Sequence, residues 1–102
     1  MNSKNLQDFL EKRFTKDPTF VYRRIADKCI LVPIRRQVAD LNYIYVLNPV
    51  ADRIWELIDG ARRVQDLQAQ IAAEFEASPQ EIGQDLEEFL AQLTEIGGIR
   101  ET

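Results

Sequence analysis

There is no histidine in this chain of 102 residues. That removes the commonest general base, the Ser-His-Asp and Cys-His arrangements, and most zinc sites. A single cysteine excludes an internal disulfide and points to a reducing compartment, the cytoplasm. That cysteine, Cys29, sits in an apolar run, Lys28-Cys29-Ile30-Leu31-Val32, where it reads as a buried, unreactive thiol. Of the four glycines (Gly60, Gly83, Gly97, Gly98), none belongs to a phosphate-binding loop. No apolar run approaches the length of a membrane span, and Lys4, Asp8, Glu11, Lys12 and Arg13 break any signal-peptide core. Adjacent acids such as Glu87-Glu88 diverge on a helix, so they form a solvated face rather than a catalytic dyad or a metal cage. The chain is expected to be no enzyme, and to take neither metal nor cofactor.

What is present is a single domain's worth of residues with 45% apolar content, enough for one core. The net charge of −4 speaks against bulk attraction to nucleic acid or an anionic membrane. The charge is unevenly spread. Residues 1–36 hold nine of the thirteen basic residues against four acids, and the remainder holds thirteen acids against four bases. This predicts a basic sheet end and an acidic helical layer.

Punctuation divides the chain. Leu6, Phe9, Leu10 and Phe14 stand at helical spacing, so a short amphipathic helix is predicted over 5–14, stopped by Asp17-Pro18. Strands are predicted at Phe20–Ile25, Cys29–Ile34 and Tyr43–Leu47, with a turn at Ala26-Asp27-Lys28 and a polar loop at Arg35–Leu41. Three helices follow. Asn48-Pro49 opens the first and Asp59-Gly60 closes it. Val64–Phe75 is the second, with Arg63 where a capping Ser or Thr would be usual. Ser78-Pro79-Gln80-Glu81 opens the third with a capping box, and Gly97-Gly98 ends it.

The expected fold is α+β and winged-helix-like: a three-stranded antiparallel sheet followed by three helices, with an extra N-terminal helix. Residues 1–19 form that helix and a linker, and residues 20–102 the domain. The helical stripes expected in the core are Val50, Ile54, Leu57 and Ile58; Val64, Leu67, Ile71 and Phe75; and Ile82, Leu86, Phe89 and Leu93. Leu90 flanks the last stripe, and Trp55 stands on a shoulder of the first. The strands are apolar on both faces, so the second face needs cover, from the N-terminal helix or from a second copy of the chain in a homodimer.

Two functions fit such a fold. One is a winged-helix DNA-binding regulator, with the third helix for recognition. That helix carries Glu81, Asp85, Glu87, Glu88 and Glu95 and no Lys or Arg, so it would repel phosphates. The other is capture of an extended peptide on the edge of the third strand. Its expected site is Tyr43, Ile44, Tyr45 and Val46, with Gly83, Leu86 and Leu90 lining a groove against the third helix. Gly83 costs a helix about 1 kcal/mol relative to alanine, for which close approach of a neighbouring segment or tight packing on the body of the protein is the reason.

Val32-Pro33-Ile34-Arg35, Ile44-Tyr45-Val46-Leu47-Asn48, Ile54-Trp55-Glu56-Leu57-Ile58-Asp59-Gly60, Glu74-Phe75 and Asp85-Leu86-Glu87-Glu88-Phe89-Leu90 occur in that order. Together they resemble the PqqD-like peptide chaperones, or RiPP recognition elements, over roughly residues 20–99. The resemblance implies a module that binds the leader segment of a ribosomally made precursor peptide against the third strand and third helix. It implies presentation of that peptide to a modifying enzyme, commonly of the radical S-adenosylmethionine type. Arg63 at the cap position, the N-terminal helix and the loop Arg35–Leu41 depart from the parent pattern. They favour a relative serving another pathway over the pyrroloquinoline quinone member itself.

Overall fold

A computed structural model describes residues 3–34 and 44–102. The order of elements is α1 (Ser3–Glu11), β1 (Phe14–Lys16), β2 (Phe20–Ile25), β3 (Lys28–Pro33), β4 (Tyr45–Leu47), α2 (Pro49–Leu57), α3 (Val64–Phe75), α4 (Pro79–Ile96) and β5 (Ile99–Glu101). Strands β2, β3 and β4 form an antiparallel sheet in that order, and β1 pairs antiparallel with β5 in a second, two-stranded sheet. The α+β class and the sheet-then-helices order agree with expectation. The predicted loop Arg35–Leu41 and Tyr43 lie outside the described residues.

The helix boundaries follow from local chemistry. Asn48 Oδ1 accepts the Ala51 N–H at 2.8 Å, and Pro49 supplies a preset φ at the first helical position. Helix α2 stops at Leu57; beyond it Gly60 takes φ +81°, and Asp59 Oδ1 accepts the Ala61 and Arg62 N–H groups at 2.9 Å each. Those backbone bonds, Arg62 first, lower the Asp59 carboxyl below its ordinary pKa. At α3, Asp66 accepts the Arg63 N–H, while arginine has no acceptor to return, so the cap is one-sided. Ser78 Oγ accepts the Glu81 N–H at 3.1 Å, and Gly97 ends α4 at φ +82°.

The register sorts the sheet into two faces. Cys29, Leu31 and Pro33 of β3 and Leu47 of β4 turn inward and are buried, Leu31 completely. Ile25, Ile44 and Val46 turn outward and remain 55–64% exposed. The hairpin between β2 and β3 is a two-residue loop, Ala26-Asp27, with Ala26 at φ 57°.

The N-terminal segment differs from expectation. Helix α1 stops at Glu11, and Phe14 belongs to a strand, buried at 8% exposure. What was expected as linker therefore contains β1. Its partner β5 is a strand that periodicity could not announce, because three residues carry no measurable period. Backbone bonds stitch this corner: Gly60 N–H to Phe14 O at 2.8 Å, Val64 N–H to Lys12 O at 2.9 Å and Asp17 N–H to Gly98 O at 2.8 Å. Helix α1 packs on α3, with Phe9 and Leu10 against the core and Leu6 exposed; it does not cover the outer face of the sheet.

The core stripes also shift. Helix α4 buries Ile82, Leu86, Leu90 and Leu93, so Leu90 replaces the expected Phe89. Phe75 is 38% exposed rather than core, and Trp55 is buried rather than on a rim, with the Lys16 ammonium 5.2 Å from its ring centroid. Partial burial desolvates the Lys16 ammonium and lowers its pKa, against the opposing pull of the Glu56 and Asp59 carboxylates.

Candidate functional site

Strand β4 has β3 on one side and no strand on the other among the described residues. Alternate residues of such an edge turn their backbone N–H and C=O groups away from the sheet, unpaired. The edge is held firmly. Leu47 is anchored in the core, and Asn48 passes at once into the cap of α2, so no loop separates β4 from the helix that follows. Tyr45 and Leu47 face inward opposite Leu31 and Cys29, and Val46 faces outward opposite Ile30.

Beside this edge lies a cavity of about 390 Å³. One wall is the strand and its continuation, Ile44 to Asn48, with Val50, Ala51 and Ile54 of α2 as the floor. The other wall is α4, through Asp85, Glu88, Phe89, Gln92, Leu93 and Ile96. Asp85, Glu88 and Gln92 are exposed, Phe89 and Ile96 half-buried, and Leu93 and Ile54 close the bottom. The groove is thus apolar at its base and polar at its α4 rim. A chain laid along β4 would bond to the free edge and drop every second side chain into it.

Of the residues expected to form the site, Ile44, Tyr45 and Val46 line the groove. Tyr43 lies outside the described residues. Leu86 and Leu90 do not line it: both are core, at 0% and 1% exposure. Leu90 borders a different hollow with Phe9, Phe14 and Glu87. Gly83 faces α3, where a Cβ would stand 2.9 Å from Gln68 Nε2. That side chain is itself bonded to Pro79 O at 2.6 Å, so tight packing accounts for the glycine. The residues missed were Asp85, Glu88, Phe89, Gln92 and Ile96. Apart from the adjacent Glu88 and Phe89 they stand three or four apart, and a second stripe at that spacing was the available signal.

A second cleft, of about 400 Å³, lies on the β2 side of the sheet, between Lys16, Tyr22, Arg24, Asp52, Trp55 and Glu56. It is occupied by its own interactions. Lys16 covers Trp55, and Arg24 Nη2 stands 3.7 Å from Asp52 Oδ2. Hydrogen bonding with Cys29 and Asp52 pushes the Tyr22 phenol up to about 12. Among the described residues no group of three or more His, Cys, Asp or Glu side chains could hold a metal ion. No described helix is long and apolar enough to cross a membrane.

Residues 28–99 match the family described as coenzyme PQQ synthesis protein D (PqqD). That stretch takes in β3, β4, all three of the helices that follow and the first residue of β5, and so both walls of the groove. The solved structure of TbiB1 in complex with the TbiA(beta) leader peptide is similar in fold, at a TM-score of 0.68 and 22% sequence identity. The likeness covers 84% of this chain and 94% of that one. No curated protein matches the chain.

Proposed function

The chain belongs to the PqqD family, and on that footing we propose that it binds the leader segment of a ribosomally made precursor peptide by strand addition to β4 and presents it to a modifying enzyme. The observation that carries this is the free edge of β4 standing beside an apolar groove of about 390 Å³. Main-chain bonds to the edge supply affinity, and the groove reads alternate side chains. The solved TbiB1 complex with a leader peptide supports the reading, since this chain shares its fold. The role is one of binding, in the cytoplasm, with any catalysis left to the enzyme partner; a radical S-adenosylmethionine enzyme fits that place. The DNA-binding alternative is set aside, because α4 presents carboxylates where phosphates would have to sit.

The test is titration of the leader from a short precursor gene beside the chain's own gene. Affinity on the order of micromolar or tighter is expected, since main-chain pairing is offset by ordering the peptide. One of Tyr45 and Val46 turns its N–H outward, and proline there removes that donor. Proline at each position in turn should weaken binding at one of them with the fold retained by circular dichroism. Undiminished binding by both folded variants would place the site elsewhere.

A further inference from the structure

Building on strand addition to β4, we infer that the bound segment carries a lysine or arginine at an inward-facing position, held between Asp85 and Glu88, with apolar side chains at the inward positions beyond it. These two carboxylates are the charged residues among those lining the groove. Both are exposed, and neither side chain makes a hydrogen bond or ion pair among the described residues. They stand three residues apart on α4, so they flank the same stretch of groove. Onward from them the wall runs through Phe89, Gln92 and Leu93 to Ile96. The groove therefore has a polarity, anionic at one end and uncharged, with an apolar base, at the other. From Asp85 to Ile96 the helix rises about 16 Å. An extended chain covers that with about five residues, of which three alternate side chains face inward.

The basic residues of the sheet do not offset these acids. Arg24 is engaged with Asp52 at the far strand. Arg23 lies on β2, with β3 between it and the groove strand β4, and neither it nor Lys28 of β3 lines the groove. An inward Asp or Glu of the peptide would meet two carboxylates with no described cation beside them. An inward Lys or Arg would meet both as partners, and its aliphatic stem would lie along the apolar base. Opposite charge at such a rim selects partners more than it adds raw affinity.

A displayed library of random 12-residue peptides, panned on the full chain at low salt, tests this. Peptides enriched by the wild type should carry Lys or Arg a few residues from an apolar side chain. A synthetic copy of the most enriched one should bind the D85K/E88K double variant about tenfold more weakly, and the gap should narrow as salt rises. The double variant, folded by circular dichroism because both positions are exposed, should itself enrich Asp or Glu. Enrichment without an excess of Lys or Arg, or the same peptides from both proteins, overturns the inference. If those peptides still lose binding when proline replaces Tyr45 or Val46, strand addition stands and only the charge preference falls. Peptides indifferent to both proline variants, or no enrichment at all, overturn strand addition and the charge preference together.

Discussion

Phe89 and Leu90 are neighbours in the chain and face different sides of α4. Phe89 is half-buried in the groove beside β4, and Leu90 is 1% exposed, bordering the hollow that Phe9 and Phe14 share. One helical step, about 100°, separates a residue available to a ligand from one that holds the body together. Leu90→Ala should therefore cost about 2–5 kcal/mol of stability and change peptide affinity only through that loss. Phe89→Ala should cost far less stability and weaken peptide binding about tenfold. Denaturant melts and peptide titration of the two variants separate these outcomes. A Leu90→Arg change, attractive if Leu90 lined the groove, should instead unfold the chain.

The N-terminal residues are part of the body in two unequal pieces. Removing residues 1–11 takes away α1, whose Phe9 and Leu10 are only partly buried. Removing residues 1–16 also takes away β1, the partner of β5, and with it Phe14, whose burial alone is worth about 1.5–3 kcal/mol. The longer truncation should lower the melting temperature well beyond the shorter one. Equal melting temperatures for the two would show that β1 contributes nothing.

Arg53 ties α2 to α3. Its Nε donates to Glu74 Oε1 at 2.7 Å and its Nη2 to Glu74 Oε2 at 2.9 Å, while Nη1 donates to Glu56 at 2.9 Å. The Arg53 guanidinium, with help from Gln70, holds the Glu74 carboxyl down at about 2, from an ordinary 4.5. A carboxylate depressed on folding adds stability above its unfolded pKa, and that stability drains as pH falls through the folded one. The contribution should thus be full above about pH 5 and gone near pH 2. Melting temperature followed from pH 6 to pH 2 should fall less steeply in Arg53→Gln than in the wild type. Parallel curves would mean the pair is without effect on folding.

Ala26 sits at φ 57° in the two-residue loop between β2 and β3. Left-handed backbone costs an ordinary L-residue roughly 1–2 kcal/mol, and glycine is free of that cost. Part of the gain is returned as unfolded-state entropy. Ala26→Gly should therefore stabilise by about 0.5–1 kcal/mol, read as a higher denaturant midpoint with the slope unchanged. A lower midpoint would show that the loop has no strain to relieve.

Gly83 packs on Gln68 and does not face the groove. In Gly83→Ala the helix gains about 1 kcal/mol, while the end of the Gln68 side chain is pushed from Pro79 O. Stability should change little, and peptide affinity not at all. A loss of affinity without a loss of stability would return Gly83 to the binding surface.

Sequence alone determined the elements whose cause is local. Asn48-Pro49, Asp59-Gly60, Ser78-Pro79 and Gly97 mark helix ends because caps, fixed φ and left-handed backbone act within a few residues, and the structure has α2, α3 and α4 where they indicate. The alternation of Tyr45, Val46 and Leu47 likewise separated the two faces of β4, because strand period is a property of the strand, but both faces read as apolar and packing alone decided that the Leu47 face is the buried one. Tertiary structure decided the rest. Helix α4 is apolar at Leu86, Phe89, Leu90 and Leu93, wider than one stripe, so its rotation was settled by what packs against it. That rotation put Leu90 inside and Phe89, Asp85 and Glu88 along the groove. The pairing of Phe14–Lys16 with Ile99–Glu101 joins the two ends of the chain, and strands of three residues leave no period to read. Such contacts between distant segments stabilise only after both have been brought together, and so they leave no mark on either segment by itself.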